Sequence, residues 1–326
     1  MATLPASPAT LATASSLEDL KAGLGPHSFM AGWNKLEPSL WPEPRTAFRP
    51  AHWSWAAARQ GLDAAGKLIS TDLADRRNLF MVNPIEGNHY ATLRTLVSAY
   101  QMILPGERAR SHRHSPNALR LVLEVGDQTY TVVDGVRMDM QSGDVVLTPG
   151  WCWHGHANDG DRPGYWIDFL DVPLVQLLEP MFLEHWPTGF QTPDRTDPRS
   201  PMIFPWAATL ERLDTAQPDP SGRHGARIEL GPTGLRTFAL HMERLVTGDA
   251  TLPYRTTASQ IVTIVSGRGH SVIGGKTIDW ARGDVVAIPS WHEFAHRADE
   301  DSVLFVVSDE TALAALGMLR EKDEAA

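Results

Sequence analysis

From about residue 91 the apolar residues of this chain fall in short runs rich in Val, Ile, Leu, Thr and Tyr, separated by Gly, Pro, Asn and Asp. Runs over 95–104, 119–124, 128–133, 144–148 and 164–170 make a first set. Runs over 235–246, 260–266, 270–273, 284–288 and 303–308 make a second. Short strands with regular turn signals predict an all-β sandwich or barrel. Residues 1–20 are rich in Ala, Ser, Thr and Pro and predict a mobile start. Trp33, Trp41, Trp53, Trp55 and the run Trp41-Pro42-Glu43-Pro44 predict an irregular arm that packs on something else. A helix is predicted over 56–69. A second, short one is predicted from Thr71, with Ser70 or Thr71 as N-cap and Asp72 and Asp75 near its positive end. Proline and polar residues from 187 to 220 predict a long linker, and 310–321 predicts a closing helix.

The two strand sets repeat one another. Gly143-Asp144-Val145-Val146-Leu147-Thr148-Pro149-Gly150-Trp151 matches Gly283-Asp284-Val285-Val286-Ala287-Ile288-Pro289-Ser290-Trp291, 140 residues later. In both copies a Gly-Asp turn enters an apolar strand that ends at proline. Gly106 and Gly248 precede corresponding segments. The chain therefore divides into an arm (1–90), a first barrel (91–186), a linker (187–233) and a second barrel with the closing helix (234–326).

Composition narrows the classes. A length of 326 residues favours two domains, and 42% hydrophobic against 21% charged residues excludes global disorder. A net charge of −10 with no basic block argues against nucleic acid as a partner. The single cysteine, Cys152, excludes a disulfide framework and any Cys-rich zinc or iron–sulfur site. No stretch approaches the roughly 18 apolar residues of a membrane span, and no secretory signal is read at the start. The expectation is a soluble cytoplasmic protein.

Four of the 13 histidines lie in two pairs, His112-Arg113-His114 and His154-Gly155-His156. Residues i and i+2 of a strand face one side, so each pair puts two imidazoles on one surface. One such pair alone reads as a polar strand face. Two pairs within one repeat point to three or four imidazoles converging on a metal. Imidazole suits iron, zinc, copper, nickel and manganese alike.

Gly106-(five residues)-His112-x-His114 and Gly143-(five residues)-Pro149-(four residues)-His154-(three residues)-Asn158 resemble the two signature motifs of the cupin superfamily. The resemblance implies a bicupin: two double-stranded β-helix, or jelly-roll, barrels with metal held inside. The usual cupin glutamate is missing, with Ala118 and Leu119 in its place, so the implied site is three histidines without a carboxylate. The run from Gln101 to Glu107, Ala118-Leu119-Arg120, the run from Leu147 to Asp161 and the run from Asp168 to Leu174 resemble a narrower group. It comprises gentisate 1,2-dioxygenase, salicylate 1,2-dioxygenase and 1-hydroxy-2-naphthoate dioxygenase.

That resemblance implies iron(II), one per chain, on His112, His114 and His154. It places Gln101, Arg120, His156 and Asp168 around the metal and substrate, with His156, Asp168 and Gln101 in the catalytic group. Arg76 or Arg77 of the arm would approach the substrate. Where the family pattern carries an aromatic residue and then glycine or alanine before the glutamine, this chain has Val97 and Ala99, which removes a ring from the pocket wall. An ortho-hydroxybenzoate would chelate such a cation through its carboxylate and phenolate, and Arg120 could pair with that carboxylate. Arg120 could instead bridge Glu124 or Asp168 in the wall, Gln101 could serve backbone groups, and Asp168 could orient a ligand histidine. Cys152 and the tryptophans at 151, 153 and 291 read as packing residues.

In the second barrel the ligand positions align with Tyr254, Thr256 and Phe294, so that barrel is expected to hold no metal. The implied reaction inserts O2 between the carboxyl-bearing and adjacent hydroxyl-bearing ring carbons of gentisate, giving maleylpyruvate. Salicylate, a 5-halo- or 5-nitrosalicylate, or 1-hydroxy-2-naphthoate is the alternative substrate. A homotetramer is implied by the family. A metal-dependent bicupin isomerase or a ligand-binding protein is the reading outside that chemistry.

Overall fold

The computed structural model describes residues 9–33, 38–70 and 76–323. The short helix expected from Thr71 falls on residues outside those described. Residues up to Arg45 form a unit of their own. It holds the helix Leu17–Leu24, capped by the Ser16 side chain accepting from the Asp19 N–H.

From Thr46 onward the strands form two jelly-roll halves, each built of two sheets rather than one continuous barrel. In the first half, Val97–Ile103, Ala118–Glu124, Val145–Thr148 and Gly164–Leu170 lie in one sheet. The strands Arg108–His114, Thr129–Val133, Val136–Asp139 and His154–Asn158 lie in the other. Val122, Val146 and Trp166 of the first sheet pack on Val133, Met138 and Met140 beside the second. The second half repeats the plan with Ala239–Leu245, Gln260–Ser266, Val285–Ile288 and Ser302–Ser308 against Arg268–Ile273, Lys276–Ala281 and Phe294–Ala298.

Why the central strands are apolar at nearly every position follows from the packing between halves. Tyr100, Leu119, Leu121, Ile167 and Phe169 point out of the first half and meet Leu240, Met242, Ile261, Phe305 and Val307 of the second in one core cluster. With both faces buried, the usual alternation of a half-exposed strand is lost. Tyr100 crosses the interface, its hydroxyl donating to the carbonyl of Gly283 at 2.8 Å.

Two straps tie the halves together, and both are more ordered than their composition implies. Ala51–Trp53 adds to the second half beside Val285–Ile288, the helix Trp55–Leu68 follows, and Arg77–Phe80 then adds to the first half beside Val97–Ile103. The stretch expected as linker makes the reverse journey. Ile203–Phe204 pairs with Val145–Thr148, the helix Trp206–Thr215 follows, and Ala226–Glu229 pairs with Ala239–Leu245. Each repeat's Gly-Asp turn receives one strap helix. Asp284 accepts the Trp55 N–H at 2.9 Å and Asp144 the Trp206 N–H at 2.8 Å. Gly283 and Gly143 have φ of +86° and +93°, and a Cβ on either would fall about 2.5 Å from the facing tryptophan ring. Glycine is required there twice over.

The closing helix is shorter than expected, Glu310–Ala315. Gly317, at φ +69°, lets the Met318 N–H return to the Leu313 carbonyl and stops it. The chain then runs back as Glu321–Asp323, paired with Tyr254–Thr256.

Candidate active site

His112 and His114 sit near the end of Arg108–His114, and His154 opens His154–Asn158. The two strands are antiparallel neighbours in which His112 pairs directly with His154 after a register shift. The shift brings two inward faces level. Ring centroids lie 4.4 Å apart for His112 and His154, 4.9 Å for His114 and His154, and 5.4 Å for His112 and His114. One nitrogen from each ring falls within 4.8 Å of the others, the sole such cluster among the described residues.

The backbone sets which nitrogens face the centre. Nδ1 of His112 lies 3.1 Å from the Arg110 carbonyl, that of His114 2.8 Å from Pro116, and that of His154 3.0 Å from Cys152. A carbonyl only accepts, so each Nδ1 carries the proton and each Nε2 keeps its lone pair. Burial adds to this. It lowers the pKa of His112 to about 3, helped by the Arg76 guanidinium, lowers that of His114, and holds His154 well below the ordinary range. Three neutral, oriented imidazoles suit a divalent transition metal. Asp168, considered as an orienting group for a ligand histidine, is not needed for that task, since carbonyls perform it.

A cavity of about 200 Å³ opens beside this cluster. Its inner wall comes from the facing sheet, where Asp168 pairs in register with Ala99 and Arg120, and Leu170 with Val97 and Ala118. Arg120 is 1% exposed, lies 3.1 Å from the Thr131 hydroxyl and contacts the His156 ring, with Nη1 2.9 Å from Nε2. Its Nε stands 3.5 Å from Asp168 Oδ1. Glu124, the other candidate partner for Arg120, is bound instead by Arg59 at 2.5 Å. Gln101 donates from Nε2 to Asp168 Oδ2 at 2.5 Å. Burial and the Arg120 charge keep the His156 pKa far down, so it stands as a neutral acceptor between two arginines.

Three buried polar atoms here lack a hydrogen bond: Gln101 Oε1, and Arg120 Nε and Asp168 Oδ1, which face each other as an ion pair at 3.5 Å. Buried polar groups are normally bonded, so a cluster of such atoms in one cavity marks where a ligand or its water completes the network.

The strap strand decides between the two arginines. Arg77 points away, making paired 2.7 Å contacts with Glu107 and donating to the Ile69 carbonyl. Arg76 faces the cavity, 3.4 Å from the Nε2 atoms of both His112 and His156 and 3.9 Å from Asp168. Alternation along the strand then brings Asn78 and Phe80 to the same cavity. Sequence reasoning missed these two, together with Thr131, Tyr90, Leu170 and Gln176. The i, i+2 spacing from Arg76 was the signal that could have found Asn78 and Phe80.

The packing expectations hold unevenly. Cys152 is half-buried against the inner core, and burial with the nearby Asp134 carboxylate pushes its thiol up to about 12, so it stays protonated. Trp151, Trp153 and Trp291 are not core residues, and Trp151 is 41% exposed. Trp151 and Trp291 occupy equivalent left-handed turn positions, at φ +68° and +62°.

Comparison with known proteins accords with this architecture. The Cupin domain model matches residues 99–171 and again 241–308, which makes the chain a bicupin with metal donors gathered in its first half. The chain is 33% identical to gentisate 1,2-dioxygenase 1 of Aquipseudomonas alcaligenes, over 90% of this chain and 93% of the relative. It is 32% identical to the 5-aminosalicylate 1,2-dioxygenase of Comamonas sp, over 90% and 87%. The crystal structure of salicylate 1,2-dioxygenase from Pseudaminobacter salicylatoxidans superposes with a TM-score of 0.85 at 29% identity, over 95% of this chain and 98% of that one. The chain belongs to the gentisate and salicylate 1,2-dioxygenase family of ring-cleaving enzymes. Among the described residues no helix is long and apolar enough to cross a membrane.

Proposed function

We propose that this chain is an iron(II)-dependent dioxygenase that opens an ortho-hydroxybenzoate ring between its carboxyl-bearing and adjacent hydroxyl-bearing carbons. Gentisate is the leading substrate, giving maleylpyruvate. The observation that carries the reading is the face-to-face arrangement of three oriented imidazoles and two arginines across one small cavity. His112, His114 and His154 would hold one iron per chain. Bound there, it would supply the Lewis acidity and one-electron chemistry that couple O2 to the ring.

The chain's own residues account for the rest. Arg76, Arg120 and Asp168 sum to a formal charge of +1 before any metal binds, which favours an anionic substrate. Arg120 and Arg76 approach from two sides and can grip its carboxylate, and Gln101 Oε1, which has no hydrogen bond, can accept from a ring hydroxyl. His156, held neutral by burial and the two arginines, can accept a hydrogen bond from a ring hydroxyl that binds beside it. The packed sheets behind Val97 and Ala99 exclude water from the ring.

Val97, Ala99 and Ala118 leave the ring wall small and apolar. This favours a second reading, a salicylate bearing a 5-halo or 5-nitro group, or 1-hydroxy-2-naphthoate, turned over by the same machinery. Anaerobic iron loading followed by oxygen uptake with a panel of these acids tests both readings. Cleavage of none would overturn them. Refilling a pocket costs about 1–3 kcal/mol, so Val97→Trp should shift relative kcat/KM toward gentisate by roughly fivefold to more than a hundredfold. Unchanged ratios would remove Val97 from the pocket. We further infer that the enzyme works in the cytoplasm as a homo-oligomer, a tetramer by family resemblance, and that residues 234–326 serve packing and assembly. Size measurement in solution tests the oligomer.

A further inference from the structure

The substrate cavity ends at a contact between two parts of the chain 86 residues apart, where the Tyr90 hydroxyl donates to Gln176 Oε1. Strand register orders the wall leading to it. Asp168 and Arg120 stand at one level, and Leu170, Val97 and Ala118 at the next. The chain then passes through Asp171 into the helix Val172–Leu178, whose Val172 and Gln176 also line the cavity. Beyond the contact lies a second cavity of about 420 Å³, and Tyr90 and Gln176 are the residues that line both. The pair stands at the boundary between the two spaces, on the solvent side, with Gln176 exposed and Tyr90 half-buried.

Both sides of this boundary are anchored in backbone. On the Tyr90 side, Asn83 is fully buried and donates to the carbonyls of Arg49 and Thr92 at 2.8 and 3.2 Å. Asn88 donates to the carbonyls of Asn83 and Ala91 at 2.9 and 2.8 Å and accepts the Ala91 N–H at 3.0 Å. On the Gln176 side, Asp171 accepts from Asn117 at 3.1 Å and Thr237 at 2.6 Å, and its carbonyl takes the Val175 N–H at 3.0 Å. Neither frame needs to move for the side-chain bond to break.

We propose that the Tyr90–Gln176 hydrogen bond is the partition that limits how long a ring system the cavity admits, and so is a determinant of substrate size. With the bond made, the cavity suits a single substituted ring. With it broken, the second cavity becomes available to a fused ring. The inference rests on the reading of this cavity as the site of an aromatic hydroxy acid.

The test uses the iron-loaded full chain and compares 1-hydroxy-2-naphthoate with salicylate in wild type, Tyr90→Phe and Gln176→Ala. Affinities are measured anaerobically by calorimetry, and kcat/KM aerobically. Tyr90→Phe keeps the ring and removes only the hydroxyl, which guards against misfolding as the cause. Loss of one such bond should raise the naphthoate-to-salicylate ratio about fivefold in Tyr90→Phe. Gln176→Ala, which also removes side-chain bulk, should raise it further. Binding of both acids with the same ratio in all three proteins would overturn the partition while leaving the functional reading in place. Gentisate is run beside them: binding of gentisate alone by all three proteins would overturn the partition, and binding of none of the three acids would overturn both.

Discussion

The two halves of the molecule share a backbone and differ in what fills it. Gly106 and Gly248 both take positive φ, and their N–H groups bond the carbonyls of Asn158 and Ala298 at 2.7 and 3.0 Å. The turn after each Gly-Asp strand folds back the same way, Trp151 N–H to His114 carbonyl at 2.8 Å and Trp291 N–H to Thr256 carbonyl at 2.7 Å. His112 pairs with His154 in one half, and Tyr254 with Phe294 in the other. There the first half brings imidazoles together, while the second packs Tyr254 against Phe294 as tilted rings with centroids 4.6 Å apart, both almost wholly buried. Gln101 of the first half has Glu243 as its counterpart, and His156 has His296. Glu243 is held by the Gly225 N–H at 2.8 Å and His224 at 3.4 Å, and His296 contacts the Ser271 hydroxyl at 2.8 Å. The two halves therefore share the same turns and strand pairings, and a few inward side chains separate the three-histidine cavity from a packed core.

The strongest way to break this comparison is to remove a donor. His154→Ala or His112→Ala should abolish both tight metal binding and turnover, whereas Phe294→Ala should leave metal content at one per chain. Elemental analysis of the purified proteins reads this out. Two metals per wild-type chain, or a normal metal content in His154→Ala, would end the distinction between the halves.

Phe294→Ala sharpens it from the other side. If the second half is a packed core at the position where the first holds a metal, deleting this ring should cost about 3–5 kcal/mol of stability. Denaturant unfolding measures that loss. A cost near zero would mean the site is not filled as described.

Arg120→Ala comes next in size. Removing a charged, buried hydrogen-bonding partner should weaken substrate binding by about 1.5–3 kcal/mol, roughly tenfold to more than a hundredfold in kcat/KM, with Arg120→Lys milder and metal content unchanged. Unaltered kinetics would return Arg120 to the barrel wall.

The smallest effect concerns pH in the second half. Burial holds His296 down at about 4, against the opposing pull of Glu243. Below pH 6.5 the unfolded chain gains a proton that the folded chain does not take until about pH 4, so stability falls as pH drops through that window. One proton corresponds to a slope of about 1.4 kcal/mol per pH unit. His296→Gln should flatten the dependence by that amount, and an unchanged slope between pH 6 and 4.5 would place the titration elsewhere.

Local pattern was enough for much of this protein. The Gly-Asp-Val-Val repeat and the two His-x-His pairs are short-range signals, because a glycine at positive φ and a two-residue strand period are written within a few neighbouring residues. They disclosed the duplication, the three donors, and the loss of those donors in the second copy. Tertiary structure decided what depends on register and on partners distant in sequence. Strands of two to four residues, such as Ile203–Phe204 and Arg77–Phe80, carry too few positions to show a period, so the two straps looked like an arm and a linker. Which of Arg76 and Arg77 turns inward followed from pairing with Val97–Ile103. The carbonyls that orient each imidazole, the atoms of Gln101, Arg120 and Asp168 that lack a hydrogen bond, and the Tyr90–Gln176 contact arise only when separate segments are brought within bonding distance. A hydrogen bond is a condition on distance and direction, and a residue pattern contains neither until the chain has folded.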